Sequence, residues 1–282
     1  MADAAGIVLA GGRSSRMGTP KAGLEWHGST LLRRIAGIVA RGVEGPVVVV
    51  RAPGQALPAL PPGVEVVEDA REGRGPLQGL AAGLAAVAAT AEIAYASSTD
   101  VPLLHPRFVR HVVAALDDGV DVVLPQVGGF PHPLAAAYRT ALLPEIDRLI
   151  AEDRMRPAFL YEACRVRRLD EAALLTDPAL AALDPALDSV LNLNEPADYD
   201  EARARPAPEV TIQRFGALRR SGDGRDPALV RAATLGEAAA AAGLTLDEHI
   251  VAALNGDQIT RDPETPLACG DTVAFLSADA GG

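Results

Sequence analysis

The sequence predicts an α/β fold with a mostly parallel sheet over residues 1–205, followed by a smaller domain. Short apolar runs alternate with amphipathic segments from residue 6 to residue 124, which is typical of a parallel sheet covered by helices on both faces. A proline-bearing connector follows at Pro206-Ala207-Pro208. The chain is 49% hydrophobic and 22% charged, which provides enough apolar material to bury a substantial core.

In the first domain, the apolar runs predict strands and the amphipathic runs predict helices. The predicted strands are 6–10, 46–50, 64–67, 93–97 and 120–124, and the predicted helices are 30–42, 77–91 and 106–116. Ligands of such open sheets bind beyond the carboxyl ends of the strands. Polar residues that directly follow a strand are therefore the first candidates for a site.

Residues 206–209 are predicted to be a linker, and residues 210–282 a second domain. Its pattern indicates strands at 210–218, 250–254 and 272–276, a short segment at 228–232 and a helix at 235–242. Asn255-Gly256 is a signal for a tight hairpin turn. This order of elements predicts a small sheet wrapped on one helix.

Composition excludes several classes of function. The net charge of −11 repels polyanions, so we expect no nucleic-acid partner. The longest uncharged stretch, 75–91, is too short and too weakly apolar to span a bilayer, and the first residues carry no basic segment typical of a signal peptide. Cys164 and Cys269 form no CxxC pair, so we expect neither a disulfide framework nor a cysteine-rich zinc site, and a cytoplasmic location.

Glycines and cations are concentrated directly after the first predicted strand. Gly11 and Gly12 allow backbone N–H groups to approach an anion, and Arg16 and Lys21 add cationic donors for a triphosphate. Lys21 is the one lysine among 26 basic residues, and a guanidinium does not replace its compact charge. The run contains neither the GK[ST] of a P-loop nor GxGxxG. It predicts a nucleotide site of another kind.

Asp100 follows the strand predicted at 93–97 and precedes Val101-Pro102. This position puts its carboxylate at the ligand-binding edge of the sheet, and Mg²⁺ is usually held by a carboxylate together with phosphate oxygens. Asp100 is thus a candidate ligand of Mg²⁺. The alternative is a structural role as a turn residue or helix N-cap.

The run LAGGRSSRMGTPKAGLEW, at 9–26, resembles the signature loop of molybdenum cofactor guanylyltransferases. Further segments fall in the order that the family shows: VED at 67–69, GPL at 75–77, TDVPL at 99–103, HPL at 132–134 and NLNEPAD at 192–198. The resemblance covers residues 5–203. It implies a Rossmann-like nucleotidyltransferase domain that transfers GMP from MgGTP to molybdopterin, the organic part of the molybdenum cofactor, and releases pyrophosphate.

The resemblance also implies roles for individual residues. Asp69 would accept hydrogen bonds from the N1–H and 2-amino groups of guanine, and its alternative is a solvated loop acid. Lys21, Arg16 and Asp100 would be catalytic, with the metal on Asp100. The nucleotide would also contact Leu9, Ala10, Gly11 and Gly12, and the acceptor would contact His132, Arg156 and Asn194. His132, between two prolines, has the alternative of simply shaping its loop.

Other functions stay open at this point. The domain could transfer CMP to the same acceptor, or transfer a nucleotide to another phosphorylated metabolite. It could also be a non-catalytic nucleotide-binding scaffold for a carrier protein. The presence of both Lys21 and Asp100 favours an enzyme, because a scaffold would tolerate the loss of either.

Residues 209–282 resemble the ubiquitin-like sulfur carriers with a β-grasp fold, most closely the small subunit of molybdopterin synthase. The segments that carry the resemblance are 210–219, ALNG at 253–256, 267–276 and the final Gly281-Gly282. In that family the last glycine, here Gly282, is adenylated and converted to a thiocarboxylate. The implied partners are an adenylating activating enzyme and the large subunit of molybdopterin synthase. A side-chain-free terminus suits passage through a narrow channel.

Overall fold

The structure, a computed structural model, describes residues 4–11, 20–69, 73–219 and 227–277. The chain divides into two compact units, of which the first is Met1–Leu24 with Thr30–Tyr199 and the second is Glu25–Ser29 with Asp200–Gly282. Residues 206–208, within the predicted linker, are neither helix nor strand. None of the helices in the described ranges is long and apolar enough to cross a bilayer.

The first unit is built around one large sheet. The strands up to residue 169 are β1 (Ala4–Leu9), β2 (Glu25–Trp26), β3 (Ser29–Thr30), β4 (Val47–Arg51), β5 (Glu65–Glu68), β6 (Ile93–Ser98), β7 (Val122–Val127), β8 (Phe130–Pro131), β9 (Ala135–Arg139) and β10 (Val166–Leu169). Of these, β2 lies in the segment Glu25–Ser29, which belongs to the second unit. The large sheet has the order β10-β7-β9-β6-β1-β4-β5, β8 pairs with β7, and β2 pairs with β3.

Most neighbouring strands of the large sheet are parallel, which confirms the predicted fold class of this unit. β1 lies parallel to both β4 and β6, β4 is parallel to β5, and β7 is parallel to β10. β9 pairs antiparallel with β6 and β7 and separates them, and β8 pairs antiparallel with β7. All six residues of β1 are buried, as expected of a strand covered on both faces.

Helices cover both faces of this sheet. The helices up to residue 204 are α1 (Leu31–Gly42), α2 (Pro76–Val87), α3 (Pro106–Ala114), α4 (Leu143–Ala151), α5 (Pro157–Ala163), α6 (Glu171–Leu174), α7 (Pro178–Leu183) and α8 (Pro196–Ala204), of which α8 begins in the first unit and ends in the second. Gly6 and Ile7 face opposite sides of β1 because strand side chains alternate. A Cβ at Gly6 would lie 2.4 Å from Val39 on α1, and one at Gly83 on α2 would lie 2.5 Å from Ile7. The two glycines let α1 and α2 pack closely on opposite faces.

Up to residue 127 the sequence-based prediction found β1, β4 to β7 and α1 to α3, with shifts of at most four residues at their ends, but missed the two-residue strands β2 and β3. The helix predicted at 77–91 ends at Val87, where the Thr90 hydroxyl donates to the Val87 carbonyl and satisfies a group at the helix end. No element was predicted between residues 125 and 195. Several elements there, such as α6 with four residues and β8 with two, are too short to show a clear periodic pattern.

In the described residues, the main part of the second unit is a five-stranded sheet with a helix packed on it. Its elements are β11 (Glu209–Arg214), β12 (Ala228–Arg231), α9 (Leu235–Ala241), β13 (Ile250–Leu254), β14 (Gln258–Thr260) and β15 (Thr272–Ser277). The order is β12-β11-β15-β13-β14, with β11 and β15 parallel and the other pairs antiparallel. Asn255 and Gly256 both have positive φ in the turn between β13 and β14. The predicted hairpin is thus observed.

The core of the second unit lies between α9 and one face of this sheet. Its largest buried residue is Phe275 on β15, and Leu235 and Ala238 of α9 pack into the same cluster. Thr234 caps α9 by accepting a hydrogen bond from the Glu237 N–H. Gly281 and Gly282 lie outside the described residues.

Candidate active site

A cavity of about 380 Å³ opens at the carboxyl ends of β1, β4 and β6. Parallel neighbouring strands end at the same edge of a sheet, so the segments that follow them converge there although they are distant in sequence. The lining residues come from these strands and the segments after them, from the segment between β5 and α2, from the start of α2, and from the residue before β9: Leu9, Ala10, Gly11, Lys21, Val50, Arg51, Ala52, Asp69, Gly73, Gly75, Pro76, Gly79, Ser98, Thr99, Asp100 and Leu134.

Lys21 and Asp100 meet in this cavity. The Lys21 Nζ lies 2.7 Å from Asp100 Oδ2, and the two side chains are only 19% and 18% exposed. Lys21 Nζ also donates to the Leu193 carbonyl at 2.6 Å, and the Leu193 N–H donates to the Asp100 carbonyl at 2.8 Å. Hydrogen bonds therefore connect Lys21, Asp100 and the main chain of Leu193, which come from three distant parts of the sequence.

The loop that carries Asp100 is held by buried groups. Arg34 of α1 is 5% exposed and donates its Nε to the Pro102 carbonyl at 2.7 Å. Further along, the His105 N–H donates to Ser189 Oγ at 3.0 Å, and Ser189 is fully buried. The Ser189 N–H in turn donates to Asp184. These bonds hold the loop that follows Asp100 at two positions, Pro102 and His105.

The backbone after β1 is similarly constrained. The Ala10 N–H donates to the Val50 carbonyl at 2.8 Å, and the buried Thr99 hydroxyl donates to the Leu9 carbonyl at 2.9 Å. A Cβ built on Gly11 would lie 3.4 Å from the Ala52 nitrogen, so the chain passes close to the end of β4 here. Gly11 therefore brings main-chain atoms to the cavity wall with no side chain in the way.

Asp69 occupies another wall of the cavity, directly after β5. Its N–H donates to the Arg51 carbonyl at 2.8 Å, which anchors the residue to the end of β4. The Arg51 guanidinium is itself paired with Glu68 at 2.7 Å. Asp69 is partly exposed, as is required of a carboxylate that accepts hydrogen bonds from a ligand.

His132, Arg156 and Asn194 do not line this cavity. His132 is half-buried beside β8, its N–H donates to the Pro125 carbonyl, and burial lowers the pKa of its imidazole. Arg156 is exposed at the N-terminus of α5. Asn194 is exposed and its N–H donates to Asp198 Oδ2, but it adjoins Leu193, which contacts Lys21. Gly12 and Arg16 lie outside the described residues.

The site also contains groups that sequence reasoning did not single out. Leu193 contributes a carbonyl oxygen, Thr99 a buried hydroxyl and Arg51 part of the cavity wall. Leu193 and Thr99 lie within the segments 192–198 and 99–103, whose resemblance to the family was the one sequence feature that pointed to these two residues. A main-chain contact leaves no side-chain signature, so the role of the Leu193 carbonyl could not be found by pattern.

The single carboxylate of Asp100 is suited to a metal ion that also binds the phosphate oxygens of a ligand. Asp100 Oδ2 is engaged by Lys21, while within the described ranges no hydrogen bond to Oδ1 is observed. No group of three or more acidic, histidine or cysteine side chains in the same ranges is arranged to hold a metal by itself. Mg²⁺ typically takes one or two protein carboxylates and fills its other positions with phosphate oxygens and water. The donor set fits that pattern.

Comparison with known proteins bears on this arrangement. Residues 6–168 match the family described as "MobA-like NTP transferase domain". The chain belongs to this family. It is accordingly a nucleotidyltransferase, and all the residues that line the cavity at the carboxyl edge of the sheet lie within the matched region. The match ends at residue 168 and does not include residues 169–282.

Relatives within the family include two mycobacterial proteins, both named probable molybdenum cofactor guanylyltransferase. The protein of Mycobacterium ulcerans (strain Agy99) is 38% identical over 189 residues, which cover 65% of this chain and 90% of that protein. The protein of Mycobacterium avium (strain 104) is 42% identical over 151 residues, which cover 52% of this chain and 75% of the relative.

Solved structures share the fold of the family domain. Molybdopterin-guanine dinucleotide biosynthesis protein A from Archaeoglobus fulgidus superposes with a TM-score of 0.56 at 21% identity, covering 71% of this chain and 96% of that one. Rv0371c from Mycobacterium tuberculosis H37Rv gives a TM-score of 0.52 at 20% identity, covering 72% and 99%. At these identities the similarity establishes the fold alone.

Proposed function

We propose that this protein transfers GMP from GTP to the terminal phosphate of molybdopterin, with Mg²⁺ and with release of pyrophosphate. The observation that carries the proposal is the meeting of Lys21 and Asp100, 2.7 Å apart, in a cavity at the carboxyl edge of a parallel sheet. The names of the mycobacterial relatives support the choice of nucleotide and acceptor. A cytoplasmic location is part of the proposal and rests on the cysteine spacing in the sequence.

The reaction is a displacement at the α-phosphorus of GTP. An oxygen of the acceptor phosphate forms the new P–O bond, the bond to the α,β-bridging oxygen breaks, and that oxygen leaves with pyrophosphate. Negative charge grows on the leaving group, so positioning and electrostatic stabilisation supply most of the rate enhancement. We assign this stabilisation to the Lys21 ammonium and to Arg16, which lies outside the described residues.

Asp100 is proposed to hold Mg²⁺ through the carboxylate oxygen that Lys21 leaves available. When bound, the ion would neutralise phosphate charge and polarise the P–O bonds. Leu193 keeps the backbone of Asp100 in place through its N–H, independently of the carboxylate. The carboxylate can thus exchange partners while its loop stays fixed.

Guanine selectivity is assigned to Asp69. A carboxylate at the cavity wall accepts hydrogen bonds from the N1–H and 2-amino groups of guanine, and adenine presents no such pair of donors. Leu9, Ala10, Gly11 and Gly12 are proposed to contact the nucleotide through the backbone, of which the first three line the cavity. His132, Arg156 and Asn194, which lie outside the cavity, are kept as the proposed contacts of the acceptor.

Binding of Mg²⁺ with GTP, CTP or ATP to the full chain, measured by calorimetry, tests the nucleotide assignment. We expect GTP to bind most tightly and Asp69→Asn to reduce that preference by about tenfold, since a lost hydrogen bond to a charged group has about this effect. Asp257→Asn, an exposed acid of the second unit, is the matched control. Equal affinity for the three nucleotides would reject a guanine-specific site.

Turnover tests the acceptor assignment separately. With molybdopterin and MgGTP, the protein should release pyrophosphate and form the guanine dinucleotide of the cofactor. If the protein binds GTP selectively but forms no such product, the assignment of the guanine site stands and the assignment of molybdopterin as the acceptor is wrong. Product formed faster from CTP would favour cytidylyl transfer instead.

For residues 210–282 we propose a β-grasp sulfur carrier, joined through the linker 206–209 to a transferase domain at 1–205. Support comes from the strand order β12-β11-β15-β13-β14, the parallel central pair and the single helix on one face. Thiocarboxylation at Gly282, which lies outside the described residues, is part of this proposal and rests on the sequence resemblance alone. The proposed partners are an adenylating activating enzyme and the large subunit of molybdopterin synthase.

Mass spectrometry of the full chain tests the carrier proposal. ATP and the activating enzyme would form an acyl adenylate at Gly282 with release of pyrophosphate, and a sulfur donor would then displace AMP. The expected product carries sulfur in place of one carboxylate oxygen, and deletion of Gly282 should abolish the change. An unchanged mass, under conditions that modify an established carrier, would reject thiocarboxylation of this chain.

A further inference from the structure

Gln55 is held unusually firmly for a loop residue. It follows β4, and its side-chain Nε2 donates to the Ala10 carbonyl at 3.0 Å while its Oε1 accepts from the Ala52 N–H at 3.0 Å. Its own N–H donates to the Ala52 carbonyl, and its carbonyl accepts from Arg51 at 3.1 Å. Both ends of the amide and both main-chain groups are thus occupied, so the side chain has one defined orientation.

The contact to Ala10 completes the hydrogen bonding of the backbone after β1. The Leu9 carbonyl accepts from Thr99, the Ala10 N–H donates to Val50, and the Ala10 carbonyl accepts from Gln55. The next main-chain donor is the Gly11 N–H, for which no hydrogen bond to another described residue is observed. Gly11 is exposed and lines the cavity.

The geometry of a trans peptide connects the hydrogen bond from Gln55 to the Ala10 carbonyl with the direction of the Gly11 N–H. The C=O and N–H of one peptide point in opposite directions, so fixing the Ala10 carbonyl also fixes the Gly11 N–H. The carbonyl points toward Gln55, which does not line the cavity. The Gly11 N–H is thereby directed away from Gln55. A preorganised donor of this kind costs little reorganisation when a ligand binds.

We propose that Gln55 is a positioning residue: it orients the Ala10–Gly11 peptide so that the Gly11 N–H donates a hydrogen bond to the nucleotide in the cavity. This inference rests on the proposed nucleotide site. The acceptor on the ligand is an oxygen or nitrogen of the nucleoside or an oxygen of the phosphates. Gln55 acts through the peptide and does not touch the ligand itself.

Two substitutions separate orientation from simple stability. Gln55→Glu keeps the shape and the acceptor for the Ala52 N–H, but replaces the donor to the Ala10 carbonyl with a carboxylate that repels it. Gln55→Met keeps the length and removes both hydrogen bonds. Gln213→Glu, on β11 of the second unit, makes the same chemical change away from the cavity and is the control.

Dissociation constants of guanosine, GMP and Mg-GTP are measured for each full-length variant. Nitrogen NMR shifts of the Gly11 amide accompany them, since this nitrogen shares a peptide with the Ala10 carbonyl. We expect both Gln55 variants to bind about tenfold more weakly and to shift the Gly11 resonance, with Gln213→Glu unchanged. An equal loss of affinity for guanosine, GMP and Mg-GTP places the acceptor of the Gly11 hydrogen bond on the nucleoside. A loss of affinity for GMP and Mg-GTP alone places that acceptor on a phosphate.

Contrary outcomes are distinguishable. If the unmodified chain binds GTP and both Gln55 variants bind it equally well, the positioning role is wrong while the proposed function stands. If the variants lose affinity without any change at Gly11, the effect does not pass through the peptide and the inference is also wrong. If the unmodified chain binds no nucleotide, the proposed function fails, and the donor role fails with it.

Discussion

The ammonium of Lys21 lies 2.7 Å from the carboxylate of Asp100, although 79 residues separate them in the sequence. Lys21 comes from the segment after β1 and Asp100 from the segment after β6, and these two strands are parallel neighbours. Both side chains are more than four-fifths buried, so water screens them only partly. Each charge compensates the other, and removal of either changes the electrostatics of the whole cavity.

Substitution of Lys21 should remove catalysis and keep the fold. We expect Lys21→Ala to lower the rate of pyrophosphate release by a factor of about 100 or more, the loss typical of a removed electrostatic contact to the transition state. Circular dichroism should be unchanged, and Arg231→Ala, an exposed cation of β12, should turn over normally. Undiminished turnover in Lys21→Ala would reject its role at the phosphates.

Asp100→Asn should weaken the dependence of GTP binding on Mg²⁺. The neutral amide is a poorer ligand for a hard cation, so the Mg²⁺ concentration that half-saturates GTP binding should rise about tenfold or more. Calorimetric titrations at several Mg²⁺ concentrations measure this without turnover. Asp118→Asn, a fully exposed acid, serves as the control. An unchanged Mg²⁺ requirement would remove Asp100 from the metal site.

Ser189→Ala should destabilise the support of the Asp100 loop. The substitution leaves the buried His105 N–H without its acceptor, which costs about 1–3 kcal/mol of unfolding free energy. Urea unfolding measures the loss. Thr176→Ala removes an exposed hydroxyl of the same unit and should change stability by less than about 0.5 kcal/mol. Similar effects of the two substitutions would contradict the structural role of Ser189.

Asp121 should contribute stability that disappears in acid. Hydrogen bonds from the Arg165 side chain lower the pKa of Asp121 to about 2 from an ordinary 3.8. Its folded pKa is the lower one, so the contribution is complete above pH 3.8 and is lost as the pH falls toward about 2. Because Arg165 is 61% exposed, we expect only about 1 kcal/mol.

Unfolding of the unmodified chain and of Asp121→Asn, compared from pH 7 down to pH 2, measures this contribution. The difference in unfolding free energy should be constant at neutral pH and should shrink as Asp121 becomes protonated. If the difference in unfolding free energy between the two proteins stays the same from pH 7 to pH 2, the Asp121–Arg165 pair does not cause it.

The two cysteines should differ in reactivity. Burial raises the pKa of the Cys164 thiol to about 11, so little thiolate is present at pH 8. Cys269 is exposed. Iodoacetamide should therefore alkylate Cys269 faster in the native protein, by peptide mass spectrometry, and the difference should vanish in guanidinium. Equal native rates would indicate that Cys164 is more accessible than the structure describes.

The sequence alone determined the fold class of the first unit and, up to residue 127, the α-helices and the strands other than β2 and β3. Alternating apolar and amphipathic segments encode burial, and burial largely decides which segments become strands and helices. The candidate residues after the strands followed from the same pattern, because parallel strands end at a common edge. Their roles at the nucleotide stay predictions.

Tertiary structure alone decided which of these segments touch. β9 lies antiparallel between β6 and β7, and the Leu193 carbonyl and the Gln55 amide complete the surroundings of Lys21 and Gly11. Apolar periodicity specifies that a face is buried but not by which partner, and main-chain hydrogen bonds leave no trace in side-chain identity. The orientation of groups at the cavity therefore emerges only when the distant segments are packed together.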